Sequence, residues 1–234
     1  MDNPLAARLS GPILVKRTSL RSIFERLYQA FGPQYWWPSR SPFETMVGAI
    51  LAQATNWRNV EQAIHQLRRS GGLSPQGLLA LRTTRLERLI RSAGYFRQKA
   101  RRLKGFARWY VRRFRGDPNV MFNTPPWTLR QEFLGIHGIG PETADSMLLY
   151  AGGQPVFVID TYTTRVFRRH RLVGARAGYD EIQQFAMHRL PKSPTVYNEF
   201  HALLVAVGKR FCHRRHPDCE HCPLGDLPHT VEVS

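Results

Sequence analysis

Three groups of residues in this chain have the types and spacing for chemistry. The first is Asp160, which ends the apolar run Val156-Phe157-Val158-Ile159 and precedes Thr161-Tyr162-Thr163-Thr164. A carboxylate there either caps a helix or faces a reacting centre as a fixed negative charge. The second is Cys212, Cys219 and Cys222, the chain's three cysteines, all within eleven residues. An odd, tight set is no disulfide framework, and it fits a reducing cytoplasm. The third is aromatic: Trp36-Trp37-Pro38 and Trp57. Tryptophans of this kind either fill a core or offer flat faces for a ring to stack on.

The elements that must position these groups read as helices. Apolar residues recur at helical spacing from Ser19 to Tyr28, Phe43 to Leu51, Val60 to Arg69, Arg85 to Ala93, Lys99 to Phe114, Tyr179 to Met187 and Pro194 to Gly208. Ser74-Pro75 supplies a cap-and-proline start, and Pro125-Pro126 opens Trp127 to Leu134. Val156 to Ile159 is the best strand candidate, though short. Between Trp127 and Ala151 lies LGIHGIGPETAD, residues 134–145, with three glycines in seven residues. It reads as two helices joined by a tight turn, Gly135, Gly138 and Gly140 permitting positive φ and close backbone approach. The second helix starts near Pro141, where free backbone N–H groups can hold a phosphate. Such a grip positions a duplex without reading its bases.

Charge names the partner class. The 234 residues carry 34 Lys and Arg against 17 Asp and Glu, a formal +17. The basic residues cluster: Arg97 to Arg115 holds nine, and Arg165, Arg168, Arg169 and Arg171 form a second group. That pattern points to a polyanion, most often nucleic acid. No stretch reaches the roughly 18 apolar residues of a membrane span. The N-terminal residues lack the long apolar segment of a signal peptide.

Turn, helix, apolar run and aspartate, in this order, resemble the helix-hairpin-helix glycosylases of the endonuclease III superfamily. The resemblance covers nearly the whole chain. Ile50 to Thr55 looks like the family's segment carrying a glutamine, here Gln53, that fills the space left by a flipped base. Gly94 to Ala100 looks like its wedge loop, with Tyr95 inserted and Arg97 and Lys99 on the DNA side. Gly208 to Cys212 resembles the entry to its cluster loop. The resemblance implies an all-α, two-domain fold: a six-helix barrel over 40–152 containing the hairpin, and a discontinuous domain from 1–39 and 153–234 ending in the Cys-rich loop. A DNA cleft runs between them. Gly138, Gly140 and Thr143 of the hairpin grip phosphates, and Asp160 faces the extruded nucleotide. The partner is damaged double-stranded DNA, bound by a cytoplasmic monomer, nucleoid-associated in a bacterium.

Members that also cut the strand carry a lysine where this chain has Glu142. Without an amine there, no Schiff base forms with the sugar. Lys99, Lys104 and Lys209 are the nearest alternatives by motif and read as solvated or phosphate-facing charges. The implied reaction is hydrolytic and monofunctional, with Asp160 stabilising an oxocarbenium-like sugar and Glu142 a candidate assistant. Trp36, Trp37, Pro38 and Trp57 resemble the pocket of the 3-methyladenine DNA glycosylase branch, which favours alkylated purines over pyrimidine lesions.

Cys212-x6-Cys219-x2-Cys222 has the spacing of the family's [4Fe-4S] loop. The position of the fourth cysteine is Pro228, which cannot ligate. His229 is placed ahead of Asp226 as its substitute. A cluster lacking a fourth protein ligand, zinc on three cysteines and a histidine, and a metal-free loop are the alternatives.

Overall fold

A computed structural model describes residues 19–231. Residues 1–18, with the signal-peptide reading and half of the 1–39 segment, and residues 232–234 lie outside the described part. The described chain is helical, without a strand. Its α-helices are α1 (Leu20–Phe31), α2 (Pro42–Leu51), α3 (Trp57–Arg69), α4 (Pro75–Ala80), α5 (Thr83–Leu89), α6 (Phe96–Phe114), α7 (Pro118–Phe122), α8 (Pro126–Leu134), α9 (Pro141–Ser146), α10 (Thr161–Arg169), α11 (Tyr179–Met187) and α12 (Pro194–Arg210). A 3-10 turn covers Arg91–Ala93, and a π-helical turn, Met147–Ala151, prolongs α9.

One start signal recurs. Ser41-Pro42, Ser74-Pro75, Asp117-Pro118 and Ser193-Pro194 each place a side-chain oxygen on a free N–H and a proline at the first helical position. The third pair opens α7, whose five residues are too few to show a period in the sequence.

Two hydrophobic cores form. The first runs from Phe43 to Val156 around α2, whose residues from Phe43 to Leu51 are all buried. The second joins Leu20, Ile23 and Leu27 of α1 to residues between Leu149 and Leu224. Each fully buried Leu, Ile or Phe contributes roughly 1.5–3 kcal/mol. The π turn lies between them: Met147 and Leu148 point into the first core and Leu149 into the second.

The strand expected at Val156–Ile159 is extended and buried but has no ladder partner. Side chains of α11 take that place. Gln183 Nε2 donates to Phe157 O at 2.6 Å, and Ile159 N donates to the Tyr179 hydroxyl at 3.3 Å. The segment delivers Asp160 to the start of α10.

Candidate active site

Asp160 is the N-cap of α10, and Thr163 N donates to its Oδ1 at 2.7 Å. Asp160 also lines a cavity of about 630 Å³, and its Oδ2 is left free of the cap. Capping and lining the cavity are therefore compatible roles. Helix α10 also sets its positive end beside the carboxylate.

Aromatic walls enclose that cavity. Trp37 lies against Tyr150 with ring centroids 5.1 Å apart and planes 22° from parallel, and it meets Trp57 edge-on at 4.7 Å. Gly48 makes room for it: a Cβ there would lie 3.3 Å from the Trp37 ring. Trp36 lines the same space, with Lys209 Nζ 6.0 Å from its ring centre. Among the described residues Lys209 is the one lysine on the wall. Lys104 is turned away, donating to Leu79 O and Leu81 O. Pro38, expected in the pocket, is exposed and off the wall.

Glu142 sits in the first turn of α9, an exposed residue at the edge of this cavity. Desolvation by the surrounding protein pushes its carboxyl up to about 7, and the Asp160 charge adds to the shift. Buried His201 presents Nε2 at 3.6 Å from Asp160 Oδ2. Its Nδ1 lies 2.7 Å from the Tyr150 hydroxyl. Burial holds the imidazole below its ordinary range, and keeps the Tyr150 phenol protonated, well above its own. Neither residue is visible in the sequence as part of a site: they are 51 positions apart and carry no local motif. Asp160 and Glu142 also border a second cavity of about 660 Å³, where Arg165, Arg168 and Arg214 supply positive charge. An open groove of similar size beside α3 and α5 is lined by polar side chains and Leu89, with no aromatic wall.

The expected DNA-facing residues separate into two sets. Tyr95 is 66% exposed and held at φ 44, and Arg97 is exposed. Gln53, Lys99 and Thr143 are engaged internally. Gln53 Nε2 donates to Gly138 O and Thr143 Oγ1, both at 2.9 Å, while Arg102 donates to its Oε1. Its amide is committed to the hairpin here and fills no gap. Thr143 is buried, so its hydroxyl receives Gln53 and does not grip phosphate. Lys99 corrects the reading most. It is 1% exposed and donates to Leu51 O at 2.9 Å and Ala93 O at 2.7 Å, too deep to meet DNA. Of the hairpin glycines only Gly138 has positive φ, at 84°, and Arg102 packs where its Cβ would be. Gly140 caps α9 with φ −95 and stays exposed.

Cys212, Cys219 and Cys222 are free thiols lining one small cavity with His229. His229 Nδ1 is 2.8 Å from Leu227 O. A carbonyl only accepts, so Nδ1 carries the proton and Nε2 keeps its lone pair, the state a ligand needs. Buried Arg169 donates to Cys212 Sγ at 3.1 Å, placing a cation where thiolates would concentrate negative charge. Asp226 is corrected: it is exposed and paired with Arg26 at 2.5 Å, away from the thiols. No three His, Cys, Asp or Glu side chains among the described residues are grouped as a metal ion requires. Donors around an iron–sulfur cluster stand farther apart, since several metal atoms lie between them.

Residues 47–192 match the profile of the HhH-GPD superfamily of base excision DNA repair proteins. The chain belongs to this superfamily. A provisionally named DNA repair glycosylase of Methanocaldococcus jannaschii is 42% identical over 207 residues, 88% of this chain and 93% of the relative. Endonuclease III of Thermotoga maritima is 28% identical over 78% of this chain and 80% of its own. Among solved structures, an endonuclease III–DNA complex superposes with TM-score 0.77 at 24% identity, covering 89% of this chain and 93% of that one. The H. pylori 3-methyladenine DNA glycosylase bound to 1,N6-ethenoadenine gives TM-score 0.70 at 23% identity, covering 82% and 98%. These two superpositions establish the HhH-GPD fold.

Proposed function

We propose that this DNA glycosylase of base excision repair is monofunctional and hydrolyses the N-glycosidic bond of a flipped, alkylated purine in duplex DNA. The observation that carries the reading is the pairing of Asp160 with Glu142 at the mouth of an aromatic cavity, with a carboxyl where a Schiff-base amine would stand. The two carboxyls divide the work by environment. Asp160, held by Thr163 N–H and the end of α10, serves as the anion that stabilises the oxocarbenium-like sugar and orients water. Glu142, with its carboxyl near 7, can give a proton to an alkylated purine that is neutral in the nucleotide, whereas one that is already cationic leaves without it. Trp36, Trp37, Trp57 and Tyr150 suit an electron-poor purine ring. The flipped base comes from the duplex, as glycosylases require, and exposed Arg214 is the candidate for a phosphate, while Arg165 and Arg168 are held by backbone carbonyls.

In this reading the DNA cleft separates residues 40–152 from residues 1–39 with 153–234, a division that the two hydrophobic cores support. Cys212, Cys219, Cys222 and His229 would hold a [4Fe-4S] cluster as a structural clasp for the Arg- and His-rich loop. Among the described residues no helix is long and apolar enough to cross a membrane.

The test is a panel of alkylated, oxidised and deaminated duplexes, each scored before and after alkali. Alkylpurine release with strand breaks only after alkali is expected. Release of oxidised pyrimidines without alkylpurines overturns the substrate assignment. A bifunctional enzyme is the second reading, because Lys209 puts one amine on the cavity wall. Borohydride trapping on abasic duplex separates the two. No adduct is expected, and an adduct lost in Lys209→Ala establishes the second reading.

A further inference from the structure

We propose that His201 is the positioning residue of Asp160, held in one ring orientation by Tyr150 and presenting Nε2–H to the aspartate's free oxygen. The proposal rests on the reading of Asp160 as the catalytic anion and adds the device that aims it. Asp160 accepts one hydrogen bond in this structure, from Thr163 N to Oδ1. Its Oδ2 is directed toward His201 Nε2 at 3.6 Å. That nitrogen is buried and has no other partner. An unmatched buried donor costs about 1–3 kcal/mol, so its retention calls for an explanation.

The tautomer follows from the neighbours. A carboxylate only accepts, so the proton belongs on Nε2. The lone pair then lies on Nδ1 and accepts from the Tyr150 O–H at 2.7 Å. Both assignments agree, and together they fix the ring. Tyr150 reaches this place from the π-helical turn, a form frequently found at functional sites. Every packed element contributes to the surroundings: Asp160 from α10, Glu142 from α9, Lys209 about two turns farther along α12, and the Trp36 ring 6.2 Å from the imidazole. A gap of 3.6 Å is longer than a hydrogen bond. Catalytic contacts of this kind are commonly long in the free enzyme and tighten on the substrate. When a nucleotide fills the cavity, His201 closes on Oδ2. Asp160 is then held through both oxygens, and its charge is fixed toward the sugar carbon.

The test has two arms. In the free protein, imidazole nitrogen chemical shifts assigned through a His201→Gln control are expected to show the Nε2–H tautomer, lost to mixed tautomers in Tyr150→Phe. The Nδ1–H tautomer in the wild type overturns the proposal. In the second arm, single-turnover base release from methylated duplex DNA is followed at saturating protein. His201→Leu is expected to lower the rate roughly 10–100-fold, the range for residues acting through another. Duplex affinity and thermal unfolding are expected to stay as in the wild type. His201→Gln, which keeps a donor near Nε2, is expected to restore most of the rate. A wild-type rate in His201→Leu overturns the proposal, as does equal loss in Leu and Gln variants accompanied by lowered unfolding temperature. Asp160→Asn run alongside separates the two layers. Full activity there removes both the catalytic assignment and the positioning role, whereas loss there with an unaffected His201→Leu removes the positioning role alone.

Discussion

Arg130 and Asp145 grip each other across the glycine turn, Nε to Oδ1 at 2.7 Å and Nη2 to Oδ2 at 3.1 Å. Both side chains are buried. The Tyr179 hydroxyl and Gln183 Nε2 donate to the same carboxylate at 2.8 and 2.7 Å. The hairpin that presents Glu142 is therefore locked to α11 by a fully bonded carboxylate as well as by apolar packing. Removing one partner strands the other charge, at a cost of about 3–5 kcal/mol. Arg130→Met is expected to lower unfolding free energy by that amount in urea titration. Asp145→Asn, which keeps the shape, is expected to lose less.

Lys99 ties together the two loops that bracket the cleft. Its ammonium bridges Leu51 O, two residues before Gln53, and Ala93 O, two before Tyr95. Burial lowers its pKa from 10.5 to about 8. Between those values the unfolded chain binds a proton that the folded chain does not, so stability rises with pH there. Below pH 8 the full desolvation cost stands, at most about 3 kcal/mol. Compared with Lys99→Met, wild-type unfolding temperature is expected to gain between pH 7 and 10. A pH-independent difference would show that the ammonium is not desolvated.

Asp160 has a structural task and a chemical one, and two substitutions divide them. Asparagine caps a helix as well as aspartate, whereas alanine loses about 1 kcal/mol. Asp160→Asn is expected to fold and bind duplex as the wild type does while base release stops. Asp160→Ala is expected to lose the same activity and, in addition, unfold at lower temperature. Wild-type turnover in Asp160→Asn refutes the catalytic assignment.

Helices were legible in the sequence because their signals are local: a period, a serine or aspartate cap, a proline behind it. Asp160, Glu142 and the tryptophans were legible as chemical types, and the structure brings them to one cavity. What escaped was set by distance along the chain. Tyr150 and His201 meet only because the π turn packs against α12. Lys99 looked like a DNA contact because it sits in a basic run; its depth depends on which face α6 buries, and two unpaired carbonyls from other elements drew it in. Gln53 was assigned to the duplex, and the hairpin's own Gly138 O claims it in the free protein. Pro38 follows two pocket tryptophans, yet the chain has already turned outward there.

Gly225 tests the cysteine loop. A Cβ there would lie 2.0 Å from Cys219 O, a backbone atom that cannot swing aside. Gly225→Ala must therefore open the turn between Cys219 and Cys222. Purified wild-type protein is expected to hold iron and sulfide, and the variant to lose most of both, with a lower unfolding temperature. An alanine variant with wild-type iron content would show that the loop does not need this closed turn.

Glu142 gives the site a pH signature. Its carboxyl, raised to about 7 chiefly by desolvation, is protonated below that value and charged above it. If it delivers the proton to the leaving base, single-turnover release falls as pH rises through 7. Glu142→Gln is expected to flatten that limb and to slow release below pH 7, where the acid form acts. The stability sign is opposite to that of a salt-bridged carboxylate. Between about 4.5 and 7 the folded chain holds a proton that the unfolded chain has lost, so wild-type stability declines with rising pH across this window. Glutamine carries no such proton. The wild type is therefore expected to lose unfolding temperature against Glu142→Gln between pH 5 and 8, as thermal melts at constant ionic strength would show. Parallel melting curves for the two proteins would mean that the carboxyl is solvated, and the acid role would go with it.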